Sequence, residues 1–181
     1  DIYQKNDRIM KNTNMLITPS SQYYYEYAIG VKTGFTTQAG NCLVSYAEKD
    51  GISLVCVTLK AGSTSSNSSY RFEDSKSLLE YGFEAFSNQS IIEEGQLIDT
   101  VQVQDATKET KFLKIVAKNT VSDFISKNID ISKIDAKIDL KQELSAPISK
   151  GEKLGTITYT IDDKIYSSDL IANSDVIKNT N

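Results

Sequence analysis

The feature that most restricts the fold is Asp50-Gly51, set between two short apolar runs of period two. A two-residue turn there needs positive φ, which Asp and Gly tolerate, so the pair predicts a tight β-hairpin. The flanking runs are Asn41 to Ala47 and Ile52 to Leu59, and a third strand-like run covers Ala28 to Gly34. Cys42, Val44 and Tyr46 point one way, Leu43 and Ala47 the other. In the next strand Leu54 and Cys56 oppose Val55, Val57 and Leu59. Both faces are apolar, which suits a sheet covered on both sides. The turn pairs Lys49 with Ile52, so counting back sets Ser45 opposite Cys56 and Leu59 opposite Cys42. The two thiols then leave opposite faces and cannot form a disulfide. Both cysteines read as buried hydrophobes.

The residues before position 27 are polar and poorly periodic, with Pro19 and a Tyr23-Tyr24-Tyr25 cluster, and read as loop. Ala61 to Tyr70 is a Ser/Gly/Asn loop. Arg71 to Phe86 reads as a helix that packs through Phe72, Leu79, Phe83 and Phe86. After Ser87 the texture changes to short alternating runs: Val101 and Val103; Phe112, Leu113, Ile115 and Ala117; Ile134, Ala136, Ile138 and Leu140; Ile157, Tyr159 and Ile161. In the third run Asp135, Lys137, Asp139 and Lys141 fill every intervening position, a clean period of two. These runs predict a small all-β antiparallel sandwich over residues 89–181, after an α/β unit over 1–88 with an antiparallel sheet and a final helix.

Composition narrows the chemistry. The chain has 181 residues, a net charge of -4 and no histidine. Without imidazole, Ser-His-Asp and Cys-His catalysis and His-ligated zinc are all excluded. Two cysteines are too few for a thiolate metal site, and no cofactor is expected. The cations are interleaved with acids, unlike the clustered Lys and Arg of a nucleic-acid binder. No apolar run approaches a membrane span. The opening at Asp1-Ile2-Tyr3, with no initiator Met or signal peptide, suggests a mature or trimmed piece.

The sharpest motif is Lys32-Thr33-Gly34, inside the run Gly30-Val31-Lys32-Thr33-Gly34-Phe35-Thr36. Serine enzymes of the penicillin-recognising class carry this triplet on an edge strand beside the nucleophile. Lys supplies fixed positive charge for an anionic substrate terminus, and Thr offers that carboxylate a hydroxyl. Gly lets substrate backbone lie against the strand, and the N–H after it, on Phe35, can complete an oxyanion hole. The plainer reading is a β-strand with an exposed Lys followed by a turn.

The flanks extend the likeness. Asn12-Thr13-Asn14-Met15-Leu16, Tyr27 to Gly34, Thr36-Thr37-Gln38-Ala39-Gly40, and Arg71 through Leu78-Leu79-Glu80-Tyr81-Gly82-Phe83 resemble the low-molecular-mass penicillin-binding proteins, the D-alanyl-D-alanine carboxypeptidase family. Leu144-Ser145-Ala146-Pro147-Ile148, Lys150-Gly151 and Leu154-Gly155-Thr156-Ile157 are similar to that family's C-terminal domain. The resemblance runs from residue 12 to about 172. It implies acyl transfer: a Ser attacks the D-Ala-D-Ala bond, terminal D-Ala leaves, and water clears the acyl-enzyme, which penicillins trap. It also implies substrate contacts from Lys32, Thr33, Gly34, Phe35 and Thr36. Arg71 has two readings, attraction of the substrate carboxylate and packing of the helix start. Some relatives carry His where this chain has Phe35, so a His-specific contact is lost.

The family's nucleophile lies in S-x-x-K, assisted by S-x-N. No Ser here is followed by Lys three residues on. Ser65-Ser66-Asn67 and Ser126-Lys127-Asn128 both follow the triplet, whereas the family's copy precedes it, so no catalytic residue is expected in this chain. The reading is therefore an enzyme fragment, inactive alone. Against it stand a non-catalytic binding or pedestal module and a class A β-lactamase, the latter disfavoured by the long β domain. The resemblance places the parent outside the cytoplasmic membrane, with stem peptides ending in D-Ala-D-Ala and β-lactams as partners and no nucleic acid. Such proteins usually add a C-terminal amphipathic helix on the membrane surface. None occurs before Asn181, so that contact would use a segment not in this chain. The uncovered strand Ile52 to Leu59 also predicts a homodimer of the bare chain, or poor order.

Overall fold

The computed structural model describes residues 2–5, 8–62 and 69–180, with side chains from residue 11 onward. It divides into two compact units, residues 1–87 and 88–181. Described residues are mostly antiparallel β-structure with one α-helix.

The first unit opens with a hairpin of β1 (Ile2–Lys5) and β2 (Arg8–Lys11), paired from Ile2↔Lys11 to Lys5↔Arg8. This corrects the expectation of an unbroken loop before residue 27. The eight residues mix Ile, Met and Tyr with Gln, Lys and Arg, too short a stretch for a resolved period. A 3₁₀ turn at Met15–Ile17 follows, capped by Asn14, whose side chain accepts from Leu16 N.

Next come β3 (Ala28–Thr36), β4 (Gly40–Lys49) and β5 (Ile52–Thr58), in sheet order β3-β4-β5. Asp50 and Gly51 have φ of 51° and 76°, so the turn takes positive φ at both central positions. The register runs from Lys49↔Ile52 through Ser45↔Cys56 to Leu43↔Thr58, as the two-residue turn requires. Cys56 is buried and Cys42 half-buried, on opposite faces and unbonded. The reading of Cys42 as a buried hydrophobe is thus corrected, because it sits on the less covered face.

Helix α1 (Tyr70–Ala85) packs on the sheet through Phe72, Ser75, Leu79 and Phe83. Ser75 is fully buried, and its hydroxyl lies 3.2 Å from that of Thr58 on β5. Gly82 lies against Leu54; a Cβ there would stand 2.6 Å from Leu54 Cδ1, so helix and strand approach where only glycine fits. Phe86 has left the helix, with extended backbone. Leu43, Ala47, Cys56 and the helix stripe form the core with Leu16 and Tyr25. Burial and the nearby Glu80 push the Tyr25 hydroxyl up to about 12.

Coverage on both faces is not found among the described residues. Leu43, Ser45, Ala47 and Cys56 face α1, while Val55 and Val57 on the opposite face stay 66% and 54% exposed. Both faces are apolar, but among the described residues α1 covers only one of them. The loop expected at Ala61 to Tyr70, with Ser65-Ser66-Asn67, falls largely on residues 63–68, outside the described residues.

The second unit contains β6 (Phe86–Ile92), which starts at its border, β7 (Leu97–Gln102), β8 (Phe112–Ala117), β9 (Val121–Ser126), β10 (Lys137–Leu140), β11 (Lys153–Ile161) and β12 (Lys164–Ala172). Five strands form one antiparallel sheet in the order β10-β11-β12-β8-β7, and β6 pairs with β9 separately. Leu113, Ile115, Leu154, Ile157 and Leu170 anchor one core. The third alternating run is strand only from Lys137, because Asp130 caps a 3₁₀ turn at Ile131–Lys133 that ends on Ile134.

One polar cluster joins β9 to β12. The Asp123 carboxylate accepts from the Tyr166 hydroxyl at 2.7 Å and from Lys164 Nζ at 3.1 Å. These donors, Tyr166 first, and the Phe124 N–H lower its pKa to about 2. A carboxyl held below its unfolded value of about 3.9 contributes stability that is complete above that value. That contribution is lost as pH falls toward 2. Asp130 and Asp169 are also held low, so the test is a difference. Urea midpoints of the wild type should fall more steeply between pH 5 and pH 2 than those of Asp123→Asn, about 5 and 2 being the limits set by the two pKa values. Parallel acid limbs would show that Asp123 contributes nothing to the acid sensitivity.

Candidate functional site

Lys32-Thr33-Gly34 lies on β3, whose second edge has no strand partner among the described residues. Pairing to β4 sets Lys32↔Val44, Thr33↔Leu43 and Gly34↔Cys42. Alternation therefore sends Thr33 to the face of Leu43, and Lys32 to the face of Val44. Edge position and alternation together present a cation, a hydroxyl and a side-chain-free backbone along one free strand.

The hydrogen bonds are specific. Lys32 Nζ donates to the Thr33 carbonyl at 2.8 Å, so the ammonium folds back on its own strand. Thr33 Oγ1 lies 2.6 Å from Thr13 Oγ1. Arg71, at the start of α1, donates from a terminal guanidinium nitrogen to the Gly34 carbonyl at 3.3 Å. The Arg71 guanidinium also stacks 4.9 Å over the Phe72 ring. Its Nε is buried and makes no hydrogen bond among the described residues. Burial lowers the guanidinium pKa from its ordinary value, and the neighbouring Cys42 opposes that shift. A cation stripped of part of its water gains more from an anion than a solvated one does.

Phe35 is 50% exposed, beyond the cover of α1. Thr36 Oγ1 accepts from Ala39 N at 2.9 Å, so this hydroxyl closes the turn between β3 and β4. Beside that turn the buried Asn41 donates through Nδ2 to the Gly62 carbonyl at 3.2 Å, while Ala61 N donates to the Asn41 carbonyl at 2.8 Å. Those contacts tie the chain after β5 to the start of β4, where Asn41 pairs with Phe35 of the triplet strand. A cavity of about 830 Å³ adjoins the site, with Thr13, Arg71, Ser21, Tyr23 and Lys11 in its wall. Two of its residues, Thr13 and Arg71, reach across to the triplet.

Sequence reasoning therefore placed Lys32, Thr33, Gly34 and Arg71 in one neighbourhood, and the fold brings them together. It missed Thr13 as a contact of Thr33, and Asn41 as the lock beside the turn. Asn12-Thr13-Asn14 did carry a signal, since Asn-x-Asn favours side-chain-closed turns. Ser126-Lys127-Asn128 forms a local turn after β9, where Asn128 N donates to Ser126 Oγ at 3.3 Å. It is a connection in the second unit.

Comparison with known proteins agrees with this geometry. Residues 86–178, more than half the chain, match the family model for the C-terminal domain of penicillin-binding protein 5. Residues 2–63 match the model for D-alanyl-D-alanine carboxypeptidase. The chain belongs to the low-molecular-mass penicillin-binding proteins of the D-alanyl-D-alanine carboxypeptidase family. Among relatives of this family, it is 27% identical over 167 residues to the D-alanyl-D-alanine carboxypeptidase DacF of Bacillus subtilis, covering 92% of this chain and 40% of that protein. It is 30% identical over 150 residues to DacA of Haemophilus influenzae, covering 81% and 36%. The structure of penicillin-binding protein 5 from Haemophilus influenzae superposes with a TM-score of 0.53 at 28% identity, over 98% of this chain and 49% of that one. That of the carboxypeptidase DacD from Francisella tularensis shares the fold, with a TM-score of 0.58 at 24% identity over 95% and 40%. The chain spans about two fifths of the length of the curated relatives it matches.

Proposed function

We propose that these 181 residues are part of a serine-type D-Ala-D-Ala carboxypeptidase and supply one wall of its substrate site. The observation that carries this reading is the triplet on the free edge of β3, with Lys32 and Arg71 both at its carbonyls. In this reading an anionic substrate terminus draws Lys32 Nζ away from the Thr33 carbonyl and accepts from the Thr33 hydroxyl. Gly34 lets the substrate backbone lie alongside β3, the Phe35 N–H donates to the developing oxyanion, and Thr36 holds the turn beyond it. Arg71 fixes the Gly34 carbonyl and adds positive potential. The serine that attacks the D-Ala-D-Ala carbonyl, and the lysine that takes its proton, come from outside these residues. Terminal D-Ala leaves, and water hydrolyses the acyl-enzyme; a β-lactam opens onto the same serine and stays.

Residues 1–88 are then the last part of the transpeptidase-like domain, and 89–181 its all-β sandwich appendage. The enzyme acts on peptidoglycan stem peptides at the outer face of the cytoplasmic membrane, with membrane contact through a segment beyond these residues. A second reading, in which the β unit is a binding module or pedestal, is favoured by its self-contained core. Replacing Lys32 by Ala in the longer enzyme removes a charge-assisted contact and should slow acylation by penicillin roughly ten- to a hundredfold. Stopped-flow with a fluorescent penicillin reads this directly. Unchanged kinetics would take Lys32 out of the site.

Among the described residues β5 is an uncharged edge strand with exposed Val55 and Val57. Such edges pair with other strands unless blocked. If two copies pair antiparallel about Val55, Asp50 of each falls opposite Lys60 of the other. The bare chain should therefore sediment as a dimer that Val57→Lys breaks, or exchange its β5 amides freely. A monomer with strong protection across Ile52–Thr58 would contradict this.

A further inference from the structure

We propose that Thr13 is a positioning residue that orients the Thr33 hydroxyl to donate to a substrate carboxylate. The inference rests on the reading of Lys32-Thr33-Gly34 as the substrate wall.

Thr13 and Thr33 lie 20 residues apart in the chain, yet their hydroxyl oxygens are 2.6 Å from each other, and either can donate. A carboxylate can only accept. When one binds at Thr33, that residue must give it its single proton. The Thr13–Thr33 bond then survives only with Thr13 as donor. The bound state has one proton order: Thr13 to Thr33, Thr33 to carboxylate. Each donor in such a chain polarises the next, so Thr13 strengthens the bond that Thr33 makes to the anion.

Thr13 is held for this task by groups other than its own. Asn14 N donates to Asn12 Oδ1 at 2.9 Å, which closes a turn with Thr13 at its centre. Asn14 is fully buried, its Oδ1 accepts from Leu16 N at 3.1 Å, and its carbonyl accepts from Thr18 Oγ1 at 3.2 Å. The backbone on both sides of Thr13 is thus fixed, while the Thr13 side chain is exposed and fills no core. Thr13→Val keeps the shape and the turn and deletes only the hydroxyl.

The test uses the longer enzyme that carries the serine, with Thr13→Val, Thr13→Ser and Thr33→Val. Each is acylated by a penicillin with its free carboxylate and by the methyl ester of the same penicillin, a much weaker acceptor. Thr13→Val should slow acylation by the free acid about five- to tenfold, the effect of one net hydrogen bond, and leave the ester rate nearly unchanged. Thr13→Ser should restore the acid rate. Equal slowing of acid and ester, or no slowing of either, with Thr33→Val still impaired, would overturn the role of Thr13 and leave the substrate wall standing. A Thr33→Val enzyme that acylates normally would remove the wall itself and this inference with it.

Discussion

The hairpin turn at Asp50-Gly51 is the constraint on which the first unit depends. Two consecutive residues with positive φ fix Lys49 against Ile52, and every later pair follows from that count. Side chains alternate strictly, so one residue of slippage would turn one strand over against the other and put Leu43 and Ala47 on the opposite face from Cys56. With β4 as the strand that turns over, β3 would follow through its pairing with β4, sending Thr33 away from Thr13 and Lys32 toward the helix. The chemistry of the triplet is thus set by a turn 16 residues downstream of Gly34, counted from Gly34 to Asp50.

Around that register the site is assembled from three separate segments. The turn at Asn12-Thr13-Asn14 reaches Thr33, the start of α1 brings Arg71 to Gly34, and Asn41 ties the chain after β5 to the start of β4 opposite Phe35. Lys32 and Arg71 both spend hydrogen bonds on backbone carbonyls beside the triplet. In the proposed reading Arg71 already stands at the Gly34 carbonyl, partly desolvated, while Lys32 must leave the Thr33 carbonyl to meet an anion.

Much of this was legible in the sequence, and the parts that were not have physical reasons. Asp50-Gly51 announced its hairpin because few other pairs tolerate that turn. The α1 stripe was visible because Phe72, Leu79 and Phe83 are large and regularly spaced. β12 was missed. Its buried face reads Tyr166, Ser168, Leu170 and Ala172, and the buried Ser168, satisfied by the Asn119 backbone, breaks the apolar period. The turn that introduces it is Asp162-Asp163, with φ of 47° and 65°, a pair without the glycine that flags such turns. The Thr13–Thr33 contact left no local trace because it is made by tertiary structure. The alternating face of β5 was plain in the sequence, but alternation says where side chains point and not what covers them.

In the proposed reading these residues recognise the acyl donor, and the group that is acylated lies elsewhere. Intact-mass spectrometry of the 181-residue chain after incubation with penicillin tests this most directly. An unmodified mass is expected, alongside a single covalent equivalent on the longer enzyme under the same conditions. A stoichiometric penicilloyl adduct on the bare chain would contradict it, because a nucleophile would then lie within these residues.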